Sequence, residues 1–250
     1  MSLFGISQTG TSVCGTRGTN VNIELCMRWH QLGAFLPIFR NFNDDPEHTP
    51  TYPTAFGEAF ASAIRPVMIM RKELMPYIYS NFFENIMDGE PMVRPLVDDF
   101  IDQAFNEKGD MIDDQYMFGN SILVVPVITP HTQGANIFVT RKVVWPIGPL
   151  SWFDIWTGER QQLGTEESPN DELTLKINEI GVFVGEGSTV VFNKHPTDKT
   201  ARDLMPAIRL DGRCRTSQYF TDDSTRGTMS RRSGYSWFEN LGPVLKFGQF

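Results

Sequence analysis

The chain has 250 residues, of which 40% are hydrophobic and 12% aromatic, enough apolar material for one or two domains with a sizeable core. Its formal net charge of −8 and its pI near 5.0 argue against nucleic acid as the main partner. No apolar run approaches the roughly 20 residues of a transmembrane helix. Met1 to Ile6 is too short and uncharged for a signal peptide, so we expect any secretion signal to lie outside this sequence.

The first hundred residues alternate between strand-like and helix-like patterns. Leu3 to Ile6 and Gly33 to Phe39 predict short apolar strands, each opening into a polar, glycine-bearing or acidic loop, as at the C-terminal face of a βα-barrel. Met92 to Val97 predicts a last barrel strand.

A helical stripe is predicted between Ile64 and Met87. Apolar residues recur there at helical spacing: Val67, Met70, Leu74, Ile78, Phe82 and Ile86. Pro66 suits an early helical turn, whereas Pro76 must kink the helix or end its first half. Gly89 supplies a stop signal.

After about Phe105 the pattern is that of short strands separated by turns, which predicts a β-sandwich. The predicted strands are Ser121 to Ile128, Ile137 to Trp145, Trp152 to Trp156, Leu173 to Ile177, Gly181 to Val184 and Thr189 to Phe192. Lys194 to Thr200 resembles a linker. A further β-domain would then begin with strands at Ala207 to Leu210, Gln218 to Phe220 and Tyr235 to Phe238.

Few residues of the sequence point to chemistry by themselves. Adjacent acidic pairs occur at 44–45, 98–99, 113–114 and 222–223, but neighbours on a strand or helix diverge, so we interpret them as turn, cap or solvated residues. The four histidines have no second ligand at metal spacing, and no Gly-x-Ser-x-Gly elbow is present. We therefore expect no metal and no other cofactor.

One stretch is far more specific. Residues 23–43 read I-E-L-C-M-R-W-H-Q-L-G-A-F-L-P-I-F-R-N-F-N. This resembles the late-barrel segment E-L-C-x-R-W-x-Q-L-G-A-F-x-P-x-x-R-N-H-N of glycoside hydrolase family 31, which includes lysosomal and intestinal α-glucosidases. Residues 2–15 are similar to its S-L-F-G-I-x-x-T-G-A-D-I-C-G segment, residues 89–96 to G-E-P-V-V-R-P-L, and residues 152–158 to W-Y-D-x-x-T-G.

The resemblance implies a fold and a domain order. Residues 1–105 would be the C-terminal part of a (β/α)₈ barrel, residues 106–193 a proximal β-sandwich, and residues 194–250 the start of a distal β-domain. A polypeptide supplying the N-terminal half of the barrel is then the expected partner. The family also implies an extracellular, secretory or lysosomal compartment.

The resemblance also implies a remnant of a sugar pocket at Ser12, Trp29, Phe39, Arg40 and Phe42. Arg40 matches a family arginine that helps to hold the catalytic carboxylates, so a buried Arg40 would need a carboxylate partner. The alternative is that Arg40 faces solvent or a local acid such as Asp44. Ser12 stands where the family has a sugar-binding Asp, and Phe42 where it has a His.

The family's lysosomal members bridge the positions of Cys14 and Cys26, which implies a disulfide here. Such a loop would stabilise the fold by about 3 kcal/mol through denatured-state entropy. The alternative is two buried thiols in a reducing compartment. Cys214 would remain free or pair outside the chain.

Three functional hypotheses follow. Retaining glycosidases need a nucleophile and an acid/base carboxylate roughly 5 Å apart. The family's W-x-D-M-N-E-like and G-D-N-like segments that carry them do not occur in this sequence. We therefore expect a non-catalytic structural or interaction module. The alternatives are a fragment of an active α-glucosidase completed by another chain, and a non-catalytic carbohydrate-binding protein.

Overall fold

The computed structural model describes residues 2–18, 21–45, 47, 49–105, 109–131, 138–146, 151–161 and 172–193, together with the backbone of four later strands. The helices in this part of the chain are α1 (Ile23–Gly33), α2 (Glu58–Glu73), α3 (Met75–Asp88) and α4 (Leu96–Asp99). Short 3-10 turns span Ser2–Phe4, Pro53–Phe56 and Ile101–Gln103. Among the described residues, no helix is both long and apolar enough to cross a bilayer.

The strands lie mostly in the C-terminal part of the chain. They are β1 (Gly10–Ser12), β2 (Ile38–Arg40), β3 (Val93–Pro95), β4 (Tyr116–Phe118), β5 (Ile122–Val125), β6 (Phe138–Lys142), β7 (Trp152–Asp154), β8 (Glu172–Lys176), β9 (Gly181–Gly185), β10 (Thr189–Asn193), β11 (Pro206–Leu210), β12 (Ser217–Asp223), β13 (Thr228–Gly234) and β14 (Leu245–Lys246). A βαβ unit followed by antiparallel sheets confirms the predicted fold class, the late part of a barrel and then β-domains.

The barrel-like unit is β1, α1 and β2, with the two strands parallel. Both strand positions predicted from apolar runs were wrong. Residues Ser2–Phe4 form a 3-10 turn, and the strand begins at Gly10. The second run begins inside α1, which continues to Gly33, so β2 begins only at Ile38. The start of α1 is capped by Asn22, whose side chain accepts a hydrogen bond from the Leu25 N–H at 2.9 Å.

The turn between α1 and β2 is held by one arginine of α2. The guanidinium of Arg71 donates to the carbonyl oxygens of Ala34, Leu36 and Pro37 at 2.8, 2.6 and 3.0 Å. A cation at the C-terminal end of a helix also complements the helix dipole. Arg71 therefore fixes the direction in which β2 leaves α1, although no carboxylate is needed to hold it.

The predicted helical stripe is confirmed, but its two ends differ from the prediction. Val67 and Ile78 are buried, whereas Ile86 is 74% exposed because the last turn of α3 projects beyond the core. Pro66 lies inside α2 and not in an early turn, since α2 already begins at Glu58 after Gly57. Pro76 does end the first half, and α3 starts beside it.

Gly89 terminates α3 as predicted. It adopts φ +83°, the left-handed conformation that residues with a Cβ rarely take, and its N–H donates to the Asn85 carbonyl at 2.8 Å.

An antiparallel sheet in the order β3-β4-β5-β9-β7 follows the helices. The prediction that Met92 to Val97 is a last barrel strand was wrong, because β3 pairs antiparallel with β4 in the register Val93↔Phe118. The strand predicted from Ser121 ends at Val125, since Pro126 has no N–H for the ladder. The other strands predicted up to Phe192 lie within one or two residues of β7 to β10, and β6 is shorter than predicted.

The later strands are described by their backbone alone. β11 pairs with β10 and β14, and β12 pairs with β13, all antiparallel. The predicted strands at 207–210 and 218–220 fall inside β11 and β12. The linker at 194–200 and the strand at 235–238 lie outside the described residues. The domain limits of 1–105, 106–193 and 194–250 stay predictions.

One apolar core joins the helices to the sheet. Phe35, from the turn after α1, is fully buried and meets the rings of Phe118 and Trp156 edge-on, each at a centroid distance of 6.4 Å. Tyr77 of α3 is buried against the same core. Its hydroxyl donates to the Phe118 carbonyl at 2.8 Å and accepts from the Ser121 N–H at 3.2 Å. Burial raises the pKa of the Tyr77 hydroxyl, so it remains a donor.

We expect Tyr77→Phe to lower the free energy of unfolding by about 1–3 kcal/mol, because it leaves a buried carbonyl and a buried N–H without a partner. Thermal unfolding of the purified protein, alone or with its barrel partner, measures the change. Tyr52→Phe is the matched control, since Tyr52 is 56% exposed and the same oxygen is removed there. Equal melting temperatures for the two variants would contradict this role.

A disulfide joins Cys14, in the loop after β1, to Cys26 of α1, as the family resemblance implied. We expect thiol labelling of denatured, unreduced protein to leave both residues unmodified, and labelling after reduction to modify both. Peptide mass spectrometry assigns the label, with Cys214 as an internal reference. Modification of all three cysteines before reduction would contradict the bridge.

Candidate functional site

The parallel strands β1 and β2 bring two of the predicted pocket residues together. Ser12 and Arg40 are register partners at the C-terminal ends of these strands, and the Val13 N–H donates to the Arg40 carbonyl at 2.7 Å. In βα-barrels this end of the strands carries the functional groups. Ser12 and Arg40 therefore define the candidate site.

Arg40 is exposed at this edge. Its guanidinium carbon lies 5.5 Å from the centroid of the Phe42 ring, in cation–π range. The local acid Asp44 pairs with Arg17 instead, at 3.2 Å. Within the described part of the chain Arg40 forms no ion pair and faces solvent, and its pairing with a carboxylate from outside the chain stays a prediction.

The remaining two predicted residues lie on different sides of α1. Phe39 is half-buried, with the His30 ring at 6.0 Å and the Arg71 guanidinium 5.6 Å from its centroid. Trp29 faces away from the strand ends and lines a cleft between α1 and residues 126–130. The structure thus groups Ser12, Phe39, Arg40 and Phe42 and places Trp29 elsewhere.

A buried polar network lies behind the strand ends. The His30 ring meets the Cys26 carbonyl through Nδ1 at 2.9 Å and the Asn41 amide nitrogen through Nε2 at 3.3 Å. Asn41 and Thr51 then exchange hydrogen bonds of 2.8 Å, through the Thr51 carbonyl and hydroxyl. This pattern assigns the proton to Nδ1. Burial lowers the pKa of His30, which favours the neutral ring.

The sequence did not predict this network, because the spacing of histidines can indicate metal ligands but not structural hydrogen bonds. The only sequence signal is the spacing of Cys26 and His30, which places both on one face of α1. The network holds Asn41, and hence the Arg40–Phe42 segment, against the disulfide-linked loop.

Cys14, Cys26 and His30 have their possible ligand atoms within 4.8 Å of one another. The residues do not fit a metal in this state, because a metal needs thiolates and the two sulfurs are joined to each other. Nothing in this cluster therefore supplies a Lewis acid.

The acidic pairs were predicted to be turn, cap or solvated residues, but two of the described pairs contain an aspartate that pairs with an arginine whose side chain is largely buried. Asp99 lies 2.9 Å from the buried Arg94, and Asp114 lies 2.9 Å from Arg141. Burial, together with the charge of Asp99, raises the pKa of Asp98. The chemistry that the described strand ends can provide is a cation, a hydroxyl and an aromatic face.

Two family models match the chain in succession. The TIM-barrel domain of glycosyl hydrolases family 31 matches residues 1–81, and the C-terminal domain of that family matches residues 89–190. The boundary between the two matched domains lies near Gly89, where α3 ends and the chain continues into β3 of the antiparallel sheet.

Named relatives and solved structures agree with these matches. Lysosomal alpha-glucosidase of Rattus norvegicus is 36% identical over 244 residues, covering 92% of this chain and 25% of its own. Human intestinal sucrase-isomaltase is 34% identical over 181 residues, covering 70% of this chain and 9% of its own. The chain thus spans a quarter or less of the length of these two relatives.

Among solved structures, a glucosidase II alpha subunit superposes with a TM-score of 0.71 at 23% identity, covering 92% of this chain and 24% of its own. The cycloalternan-forming enzyme of Listeria monocytogenes, in complex with a pentasaccharide substrate, superposes with a TM-score of 0.70 at 20% identity, covering 93% of this chain and 22% of its own. At these identities the two structures establish the shared fold. Together with the two family models and the named relatives, they show that the chain belongs to glycosyl hydrolase family 31.

Proposed function

We propose that this chain is a non-catalytic structural or interaction module of a family 31 protein, at whose strand ends the contacts to glucoside hydroxyls have been lost. The observation that carries the proposal is the arrangement of Arg40 over the Phe42 ring beside Ser12. At the two family-matched positions for sugar ligands, one side chain is short and neutral and the other is apolar.

The chemical cost of these two residues is large. A carboxylate accepts hydrogen bonds from two sugar hydroxyls and an imidazole can donate one, whereas Phe42 can do neither. A site built for hydroxyl groups discriminates by orders of magnitude when one polar partner is missing. Phe42 lies over one face of the Arg40 guanidinium and adds no hydrogen-bonding group to the strand ends.

A second function is favoured by one specific observation. Arg40 is exposed and forms no ion pair within the described residues, so its guanidinium is available to a carboxylate on another polypeptide. The chain would then be the C-terminal part of a working α-glucosidase, with both catalytic carboxylates supplied by the partner. Retaining hydrolysis needs these about 5 Å apart across the sugar, which is a geometry only an assembled barrel provides.

In either function the partner is a polypeptide that supplies the earlier barrel strands. β1 pairs with β2 alone among the described strands, and a barrel is stable because closure leaves no edge unpaired. In the segment before β1, Leu3, Phe4 and Ile6 are 58%, 85% and 46% exposed, although they are apolar. Burial of this surface requires an interface of the obligate class, above about 1,000 Å².

The disulfide supports an oxidising compartment, that is, an extracellular, secretory or lysosomal one. Two of the matched relatives carry the words intestinal and lysosomal in their names. Carbohydrate remains the ligand class to test, because an exposed guanidinium beside an aromatic ring can still contact a glycan weakly.

We expect residues 1–250, co-expressed with the upstream barrel portion of the rat lysosomal relative, not to hydrolyse maltose above background. Installing both sugar ligands, by Ser12→Asp with Phe42→His, should strengthen binding of a glucose-like inhibitor by about 100-fold. Isothermal titration measures this binding, and Thr11→Asp with Phe56→His is the matched control. Inhibitor-sensitive turnover by the unmodified complex would establish the second function instead.

We expect the chain expressed alone to aggregate, and the chain co-expressed with that barrel portion to purify as a fixed complex. Size-exclusion chromatography with light scattering distinguishes the two states. A soluble monomer with a cooperative melt and protease-resistant residues 1–95 would contradict the need for a partner.

A further inference from the structure

Within the part of the chain that the structure describes, the helix α1 leaves one of its faces uncovered. Cys26 packs with Phe60 and Ile64 of α2 on one side. On a second side Gln31 donates to the carbonyl of Ile177, at 3.2 Å, in the turn after β8. The third face carries Leu25, Trp29 and Leu32, which follow one another at helical spacing along about two turns.

This third face forms one wall of a cleft of about 400 Å³. The opposite wall is the segment from Pro126 to Pro130, which leaves β5. Most of the lining is apolar, and the rim residues Leu25 and Ile128 are 56% and 64% exposed. An apolar groove that runs along a helix in this way fits another helix.

At the side of the cleft lies an arginine whose hydrogen-bonding groups are only partly used. Arg28 is 8% exposed, and its Nη1 donates to the Gln31 side-chain oxygen at 3.2 Å and the Glu179 carbonyl at 3.3 Å. Its Nε and Nη2 are buried and have no hydrogen-bond partner among the described residues. The nearest acid, Glu24, stays 3.9 Å from Nε and accepts from the His131 N–H at 2.8 Å.

Buried polar groups are nearly always satisfied, and a guanidinium prefers a carboxylate bound by two parallel N–H groups. Burial lowers the pKa of Arg28 even though Glu24 acts against the shift, as expected for a cation with incomplete compensation. A carboxylate placed over Nε and Nη2 would complete the site. A segment that binds in the cleft therefore needs a carboxylate as well as apolar side chains.

We propose that the cleft between α1 and residues 126–130 binds a helix of the polypeptide that completes the barrel, and that this helix carries an Asp or Glu for Arg28. The proposal rests on the proposed need for a barrel partner. In a βα-barrel each outer helix packs between two others, and α2 covers only one flank of α1. In a complete barrel, the flank of α1 opposite α2 is where the preceding helix packs.

The experiment uses the chain co-expressed with the upstream barrel portion of the rat lysosomal relative. A photoactivatable phenylalanine analogue at Leu25 should cross-link to that portion, in a helical peptide with Asp or Glu within one turn of the attachment point. The same analogue at Phe138, an apolar residue that is 47% exposed on β6, should give no such adduct. Peptide mass spectrometry identifies the products.

The charge requirement is tested in the same complex. Arg28→Met should speed dissociation by about 100-fold, because it leaves the partner carboxylate buried and unpaired, and Arg28→Lys should have a smaller effect. Arg160→Met, at an exposed arginine, should change nothing.

The outcomes distinguish the assignment of the cleft from the existence of the barrel partner. A complex that forms without cross-linking at Leu25, or that dissociates at the same rate with Arg28→Met, overturns the cleft assignment and leaves the barrel partner standing. Cross-linking of Leu25 to a second copy of this chain also overturns it. Absence of any complex contradicts the partner itself and the cleft with it.

Discussion

The burial of Phe35 is the constraint on which the rest of the described structure depends. This side chain leaves the turn after α1, yet its ring contacts Phe118 of the antiparallel sheet and Trp156 beyond it. The Tyr116 hydroxyl donates to the Phe35 carbonyl at 3.0 Å, so backbone and side chain are both fixed to the sheet. Because of this one turn, the barrel-like unit and the β-domain share a core and cannot pack independently.

That shared core also determines where the strand ends point. Arg71 holds the turn from the α2 side while Phe35 holds it from the sheet side, so β2 leaves in one direction. The disulfide and the His30–Asn41–Thr51 network then fix the loops that follow β1 and β2. A rigid frame thus supports a strand edge whose own residues, Ser12 and Phe42, are poorly suited to bind sugar hydroxyls.

The two surfaces that remain open differ in chemistry. The strand edge exposes apolar side chains and the Arg40 cation, whereas the cleft beside α1 combines an apolar groove with the buried Arg28. Both lie on the barrel-like unit. Among the described residues Arg40 has no carboxylate partner, and Arg28 has only Glu24, at 3.9 Å.

The sequence by itself determined the family, the fold class and the disulfide, because these depend on irregular local strings such as residues 23–43 and on cysteine positions within them. It also determined the end of α3, since a glycine at φ +83° acts locally. Apolar runs did not determine strand positions. Residues 3–6 and 33–37 are apolar, but their hydrogen-bonding partners decide that the first forms a 3-10 turn and the second a turn held by Arg71.

Only the tertiary structure decided which candidate residues meet. Trp29 and Phe39 are both aromatic, yet Trp29 of α1 lines the cleft beside residues 126–130, whereas Phe39 of β2 packs against His30 and Arg71. The pairing of β3 with β4 moved residues 92–97 from the barrel to the sheet, because strand direction depends on a partner 20 or more residues away. The unsatisfied groups of Arg28 are likewise invisible in sequence, since its burial and the 3.9 Å that separate its Nε from Glu24 are properties of the packed chain.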